Sequence, residues 1–363
     1  MKSREVGDRV EFDVELAPTG SALITLGYTV RGARPAGEPP TVVSAQFVEG
    51  PFDIELTESN TFPLDYCRFR FAGEEFSDFI PTLKADTLIR KRFGLLSRLG
   101  GEQQPWYLSA CGRADTRLRG KCELERKFHV SVVPDHCLLA IEQPENFAIT
   151  VNGKPVGALV GCWVDEDIKT IDISGCLQPG ENEILLVFDY HADMEIEDMY
   201  LVGDFGVTLK TGRLTRQPGD VTLVAPPKQL ELGTWVGQKL DFYGGSVRYK
   251  LNVTHPGAGK RLRISLPMIQ CTAAAIHVGG RTFTLPWEPF AADITDALAE
   301  GENVVAIEVI GGRKNIFGPL HVPWHAWTGP GEFNPDNVSW TKNYLLFDHG
   351  LTLPIKLETL TAQ

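Results

Sequence analysis

The chain is predicted to be all-β, built from tandem antiparallel β-sandwiches with one short helix near residues 80–98, and three observations carry that reading. Apolar and polar residues alternate over most of the length, the period of half-buried strands. Turn signals (Asn-Gly, Gly-Gly, Pro-Gly-Glu-Asn) punctuate these runs. The order of motifs in residues 147–206 recurs over 275–310.

Taken in order, residues 9–57 alternate through Val10, Phe12, Val14 and Leu16, then Ala22, Ile24 and Leu26 after the turn Pro18-Thr19-Gly20. A further strand runs over 41–47, beyond the loop RGARPAGEPP. So little strand without closure is small for a sandwich. Residues 1–60 are therefore expected to be a partial sandwich or edge strands, the C-terminal part of a preceding domain.

Residues 61–213 are expected to form the first full sandwich. Within it, Leu83, Leu88, Phe93 and Leu96 recur at helical intervals, and Gly100-Gly101 is the expected stop. Phe147, Ile149 and Val151 then alternate into Asn152-Gly153, a two-residue hairpin turn. Ile171 and Ile173 follow, and Pro179-Gly180-Glu181-Asn182 turns the chain into the apolar strand Ile184 to Phe188.

Residues 214–230 read as a linker and 231–363 as a second sandwich. Val278-Gly279-Gly280-Arg281 answers Val151-Asn152-Gly153-Lys154, and Asp293-Ile294-Thr295 answers Asp172-Ile173-Ser174. Gly301-Glu302-Asn303 answers Gly180-Glu181-Asn182. A spacing of about 120–127 residues is that of a whole sandwich rather than of a solenoid repeat.

A net charge of −12 argues against nucleic acid, since phosphate binding needs clustered Lys and Arg. The one basic run, Lys84 to Arg98, reads as the solvated face of a helix. No apolar run approaches the roughly 20 residues of a membrane span, and the N-terminus lacks the apolar core of a signal peptide. Seven cysteines without a CxxC pair read as buried free thiols, which favours the cytoplasm. No metal site or cofactor is expected; Asp and Asn loops leave room for a structural calcium but give no definite ligand series.

Glu195, Glu197, Asp198 and Asp204 lie close in sequence, and strand alternation puts Glu195 and Glu197 on one face. Glu197 and Asp204 are weak catalytic candidates, because glycoside hydrolysis needs two facing carboxylates. The competing reading is solvent-facing strand residues plus a loop carboxylate holding backbone N–H groups. Sugar binding has better material in the Pro/Gly-rich segment 313–349: Trp324, Trp327 and Trp340, with His325, Asn334 and Asp336 among them. Aromatic planes suit the C–H face of a pyranose, and these polar side chains suit its hydroxyls. The alternative is a cover over the sandwich or a neighbour. Tyr243, with Trp235 and Phe242, makes a second candidate cluster.

The motifs ITVNGKPV, IDISGCLQPGENEI, EIEDMYLVGDFGV, DFYGGSVRYKLNV, DITDALAEGENVVAIEV and NIFGPLHVPW give the chain a family likeness. It resembles the C-terminal region of large bacterial glycoside hydrolases, those grouped with family 2 sugar-binding domains and α-L-rhamnosidase-like enzymes. The resemblance implies galactose-binding-domain-like jelly rolls that follow a catalytic barrel. It further implies a non-catalytic accessory role, with a carbohydrate ligand and a catalytic glycosidase domain or subunit as partners. The barrel is not in this sequence, so the family's catalytic carboxylates have no positions here. A free-standing lectin-like protein is the alternative, and a self-contained glycosidase using Glu197 and Asp204 a third.

Overall fold

A computed structural model describes residues 3–7, 9–14, 40–98, 105–210, 220–323 and 328–362. Strand is the main regular structure of the described residues, in sheets that face each other in pairs and are antiparallel except where Val221–Val224 runs parallel to Gly120–Val130.

In the first pair, one sheet runs in the order Lys154–Val156, Ala148–Val151, Gly180–Tyr190, Gly120–Val130, Val221–Val224, Gly206–Leu209, with Tyr66–Phe71 also paired to Gly120–Val130. Its partner runs Leu159–Trp163, Asp165–Asp172, Cys137–Glu142, Met199–Gly203, Asn60–Leu64. Alternation decides which side chains meet between them. Leu124, Ile184 and Leu186 from one sheet and Leu139, Ile141 and Leu201 from the other form one buried cluster.

The second pair has the sheet Gln229–Leu230, Phe52–Leu56, Ser246–Thr254, Glu302–Ile310, Ala273–Val278, Arg281–Leu285. Facing it are Ala291–Asp293, Lys260–Ser265, Ile355–Thr361 and Val42–Val48. Val247, Tyr249 and Ile307 meet Ile264 and Ile355 in a separate core.

The two pairs are laid out alike, which corrects the reading of residues 1–60. Val42–Val48 takes the place beside Ile355–Thr361 that Asn60–Leu64 takes beside Met199–Gly203. Phe52–Leu56 lies beside Ser246–Thr254 as Tyr66–Phe71 lies beside Gly120–Val130. Residues 42–56 are therefore strands of the second sandwich, and the first sandwich is inserted in its sequence. Val221–Val224 and Gln229–Leu230, expected as linker, are also strands. Among the described residues, Ser3–Val6 pairs only with Arg9–Phe12. The alternation expected over 15–39 lies outside the described residues.

The repeat is maintained by local chemistry. Asn152 and Gly153 have φ of 51° and 75°, and Gly279 and Gly280 have 55° and 72°, as two-residue hairpins require. Asp172 Oδ1 accepts from the Ser174 N–H and hydroxyl, and Asp293 Oδ1 accepts from the same two groups of Thr295. Asn182 and Asn303 each donate twice to carbonyls of the preceding turn.

The expected helix spans Thr82–Arg92 and ends earlier than at Gly100-Gly101, which lie outside the described residues. Gly94, at φ 68°, is the stop, and Leu95 N–H returns to the Arg90 carbonyl. The segment 313–349 falls within the expected second sandwich, 231–363. Its described part lies across the first instead: Leu320, Tyr344 and Leu346 pack on that core, and Phe317 packs between Trp163 and Tyr200.

Candidate functional site

Residues 194–198 belong to no strand, and the strand that follows begins only at Met199. Burial still alternates, because Met194 and Ile196 enter the first core while Glu195 and Glu197 stand between them. Glu197 and Asp204 flank the strand Met199–Gly203 at opposite ends. At about 3.3 Å per residue they are about 20 Å apart, whereas facing catalytic carboxylates stand roughly 5–10 Å apart. They are not a catalytic pair. Asp204 is an exposed turn residue whose N–H binds the His136 carbonyl.

Glu197 instead lines an open cleft of about 470 Å³ with Asp86, Thr87, Arg98, Phe333 and Asn334. The helix Thr82–Arg92 presents Asp86 on its packed side, 5% exposed. Arg98 is anchored by its Nη2, which donates to the carbonyls of Ala192 and Met194, and its side chain is 9% exposed. Phe333 and Asn334 come from the turn Pro330–Phe333, held by a Gly329 N–H to Glu332 hydrogen bond of 2.8 Å. A Lys84–Asp336 ion pair at 2.6 Å fastens that turn to the helix.

Two walls of this cleft are chemically incomplete. Among the described residues, Asp86 Oδ1 and Arg98 Nε and Nη1 are buried without a hydrogen-bond partner, a costly arrangement in an interior. Arg98 Nη1 has only the Glu195 carboxylate at 3.5 Å.

Carboxylates crowd the region. Burial pushes Glu197 well above the ordinary carboxyl range, and Asp198, Glu142, Asp86 and Glu195 add repulsion. Burial raises Asp86 to about 6 against the pull of Arg98 and Arg90. Asp198 rises to about 7 through burial and Asp65, eased by Arg126. Glu142, in an adjoining cleft with Glu195, His191 and Asp193, rises to about 7 through burial and its acidic neighbours.

A pH dependence follows. The unfolded chain releases these protons near pH 4, but the folded chain holds them to pH 6–7. Between those values the folded state binds more protons, so stability falls as pH rises. Glu358 acts oppositely: Arg263 and Lys356 overcome its burial and hold it at about 2, so its contribution is lost only as pH falls from about 4.5 towards 2. The melting temperature is expected to be higher at pH 5 than at pH 8, and Asp198→Asn should shrink that difference. A melting temperature that climbs from pH 5 to pH 8 would contradict this burial.

The other sequence candidates fare differently. Trp324, His325 and Trp327 lie outside the described residues. Asn334 is in the cleft, whereas Asp336 is engaged with Lys84. Trp340 is half-buried, its ring 4.8 Å from that of His321. Tyr243 is not a sugar platform: it is fully buried, and its hydroxyl accepts from the Thr57 and Glu58 N–H groups and donates to the Ser246 carbonyl. Trp287, which follows the second hairpin as the packed Trp163 follows the first, is 46% exposed.

Asp86 and Arg98 were missed because the run Lys84 to Arg98 looks like a solvated face. Arg90, 3% exposed, donates to Tyr190 and to the carbonyls of Leu96 and Ala192. The thiols are free, but Cys111 and Cys162 are exposed rather than buried. Among the described residues no group of three or more His, Cys, Asp or Glu is arranged to hold a metal ion. No helix there is long and apolar enough to cross a membrane.

No family model and no curated protein matches the sequence. Similar solved structures are glycoside hydrolases. The rhamnosidase of Novosphingobium sp. PP1Y is 18% identical, over 68% of this chain and 22% of its own, with a TM-score of 0.28. A β-glucuronidase from an uncultured Clostridium sp. is 18% identical, over 44% and 28%, at 0.23. The β-D-mannosidase of Dictyoglomus thermophilum is 11% identical, over 80% and 36%, at 0.25. The matched part thus spans 22% to 36% of the length of these enzymes.

Proposed function

We propose that this chain is a non-catalytic accessory region of a glycoside hydrolase and that the cleft between the helix Thr82–Arg92 and the turn Pro330–Phe333 takes a short glycan. The observation that carries the reading is the pair of unsatisfied walls, an acceptor at Asp86 Oδ1 and donors at Arg98 Nε and Nη1. A hydroxyl is the group that donates to one and accepts from the other. A sugar offers several in a rigid array, with a C–H face for Phe333.

The carboxyl groups favour binding over hydrolysis. A glycosidase keeps one carboxyl protonated and the other ionised, by environments that push their pKa values apart. Burial pushes Asp86 and Glu197 the same way.

Calorimetric titration with a panel of oligosaccharides tests the reading. Asp86→Asn and Arg98→Gln are each expected to weaken binding about tenfold, the effect of one charge-assisted hydrogen bond. Unchanged affinity in both variants would place the ligand elsewhere.

A further inference from the structure

The charge in this cleft says more than that hydroxyls fit. We infer that the preferred ligand is a glycan carrying a protonated amine, an amino sugar, with its ammonium beside Asp86 and Glu197 and its hydroxyls against Arg98 and Asn334. This rests on the glycan-binding reading above.

Two observations converge. Asp86 is 5% exposed, lines the cleft, and has an oxygen with no hydrogen-bond partner among the described residues. Glu197 reaches the same cleft from another segment, and among the described residues no ion pair within 4.0 Å engages it or Asp86.

The nearby cations have partners of their own, although Arg98 Nε and Nη1 and Arg126 Nη1 stay without a hydrogen bond among the described residues. Arg98 is held by the Ala192 and Met194 carbonyls and faces Glu195 at 3.5 Å. Arg90 donates to Tyr190 and two carbonyls, Arg126 donates to the carbonyls of Leu64 and Glu197, and Lys84 binds Asp336. Asp198 and Glu142 place two further carboxyl groups behind the wall, both acting to raise Glu197.

An ammonium brings three donors and no acceptor, which matches two carboxyl groups, and its charge offsets the burial that raises them. A ligand carboxylate would meet Asp86, ionised above about pH 6, with like charge. A bare metal ion needs more oxygen ligands than these two residues supply.

The test is calorimetric titration of the full chain near neutral pH with three trimers: glucosamine, its N-acetylated uncharged counterpart, and galacturonic acid. The glucosamine trimer is expected to bind about tenfold tighter than the N-acetylated one, a margin that salt reduces, with galacturonate weakest. Glu197→Gln should bring the ratio of the first two towards one. Asp86→Asn should do the same, with thermal melting confirming that both variants fold. If the neutral or acidic trimer binds as tightly as the cationic one, or if neither variant changes the ratio, the amine preference is wrong while glycan binding stands. If none of the three binds, the glycan reading itself falls.

Discussion

Asp65→Ala is expected to cost about 3–5 kcal/mol of folding stability, although the residue belongs to neither the cleft nor a regular core position. Asp65 is 7% exposed and accepts from His321 Nε2 at 2.6 Å and from the Tyr344 hydroxyl at 2.8 Å. These two residues belong to the C-terminal segment, and Asp65 follows the strand Asn60–Leu64 of the first sandwich. The bonds tie together parts of the chain 256 and 279 residues apart. His321 is itself 3% exposed, ringed by Tyr66, Trp340 and Tyr344. Removing the carboxylate leaves buried donors unsatisfied and opens a void. Asp65→Asn keeps one acceptor and should cost less. Urea unfolding measures both, and a loss below about 1 kcal/mol for the alanine variant would show that the segment is not held there.

Trp235→Ala should have a similar effect, about 3–5 kcal/mol, in the other sandwich. Trp235 is 1% exposed, donates its indole N–H to the Tyr249 hydroxyl at 2.6 Å, and meets the Tyr243 ring edge-on at 5.7 Å. The backbone is shaped around it: a Cβ on Gly311 would stand 2.8 Å from the indole ring. Its alanine variant is expected to lower the melting temperature and leave glycan affinity intact. A loss of affinity at unchanged stability would return the Trp235–Tyr243 cluster to the list of binding sites.

What was legible in the sequence is what short-range chemistry decides. The hairpins at Asn152-Gly153 and Gly279-Gly280 need φ > 0, and the caps at Asp172 and Asp293 act two residues away, so their motifs show in the string. The membership of residues 42–56 was hidden because their partners, 246–254 and 355–361, are about 190 to 320 residues distant. No turn motif records a pairing at that range.

The cleft was half visible for the same reason. Asn334 stood out in a loop rich in polar and aromatic residues. Arg98 did not, because its burial comes from carbonyls 94 and 96 residues later, which no helical periodicity foretells. Tyr243 misled in the opposite direction, since an aromatic cluster in sequence does not say whether it faces sugar or core.

The most direct test of the account is to find where a bound oligosaccharide touches the chain, by backbone amide chemical shifts during titration of the isotope-labelled protein. The account predicts shifts concentrated in residues 82–98 and 328–337, reduced by Arg98→Gln. Shifts confined to the second sandwich around Trp235, or none at millimolar sugar, would contradict it.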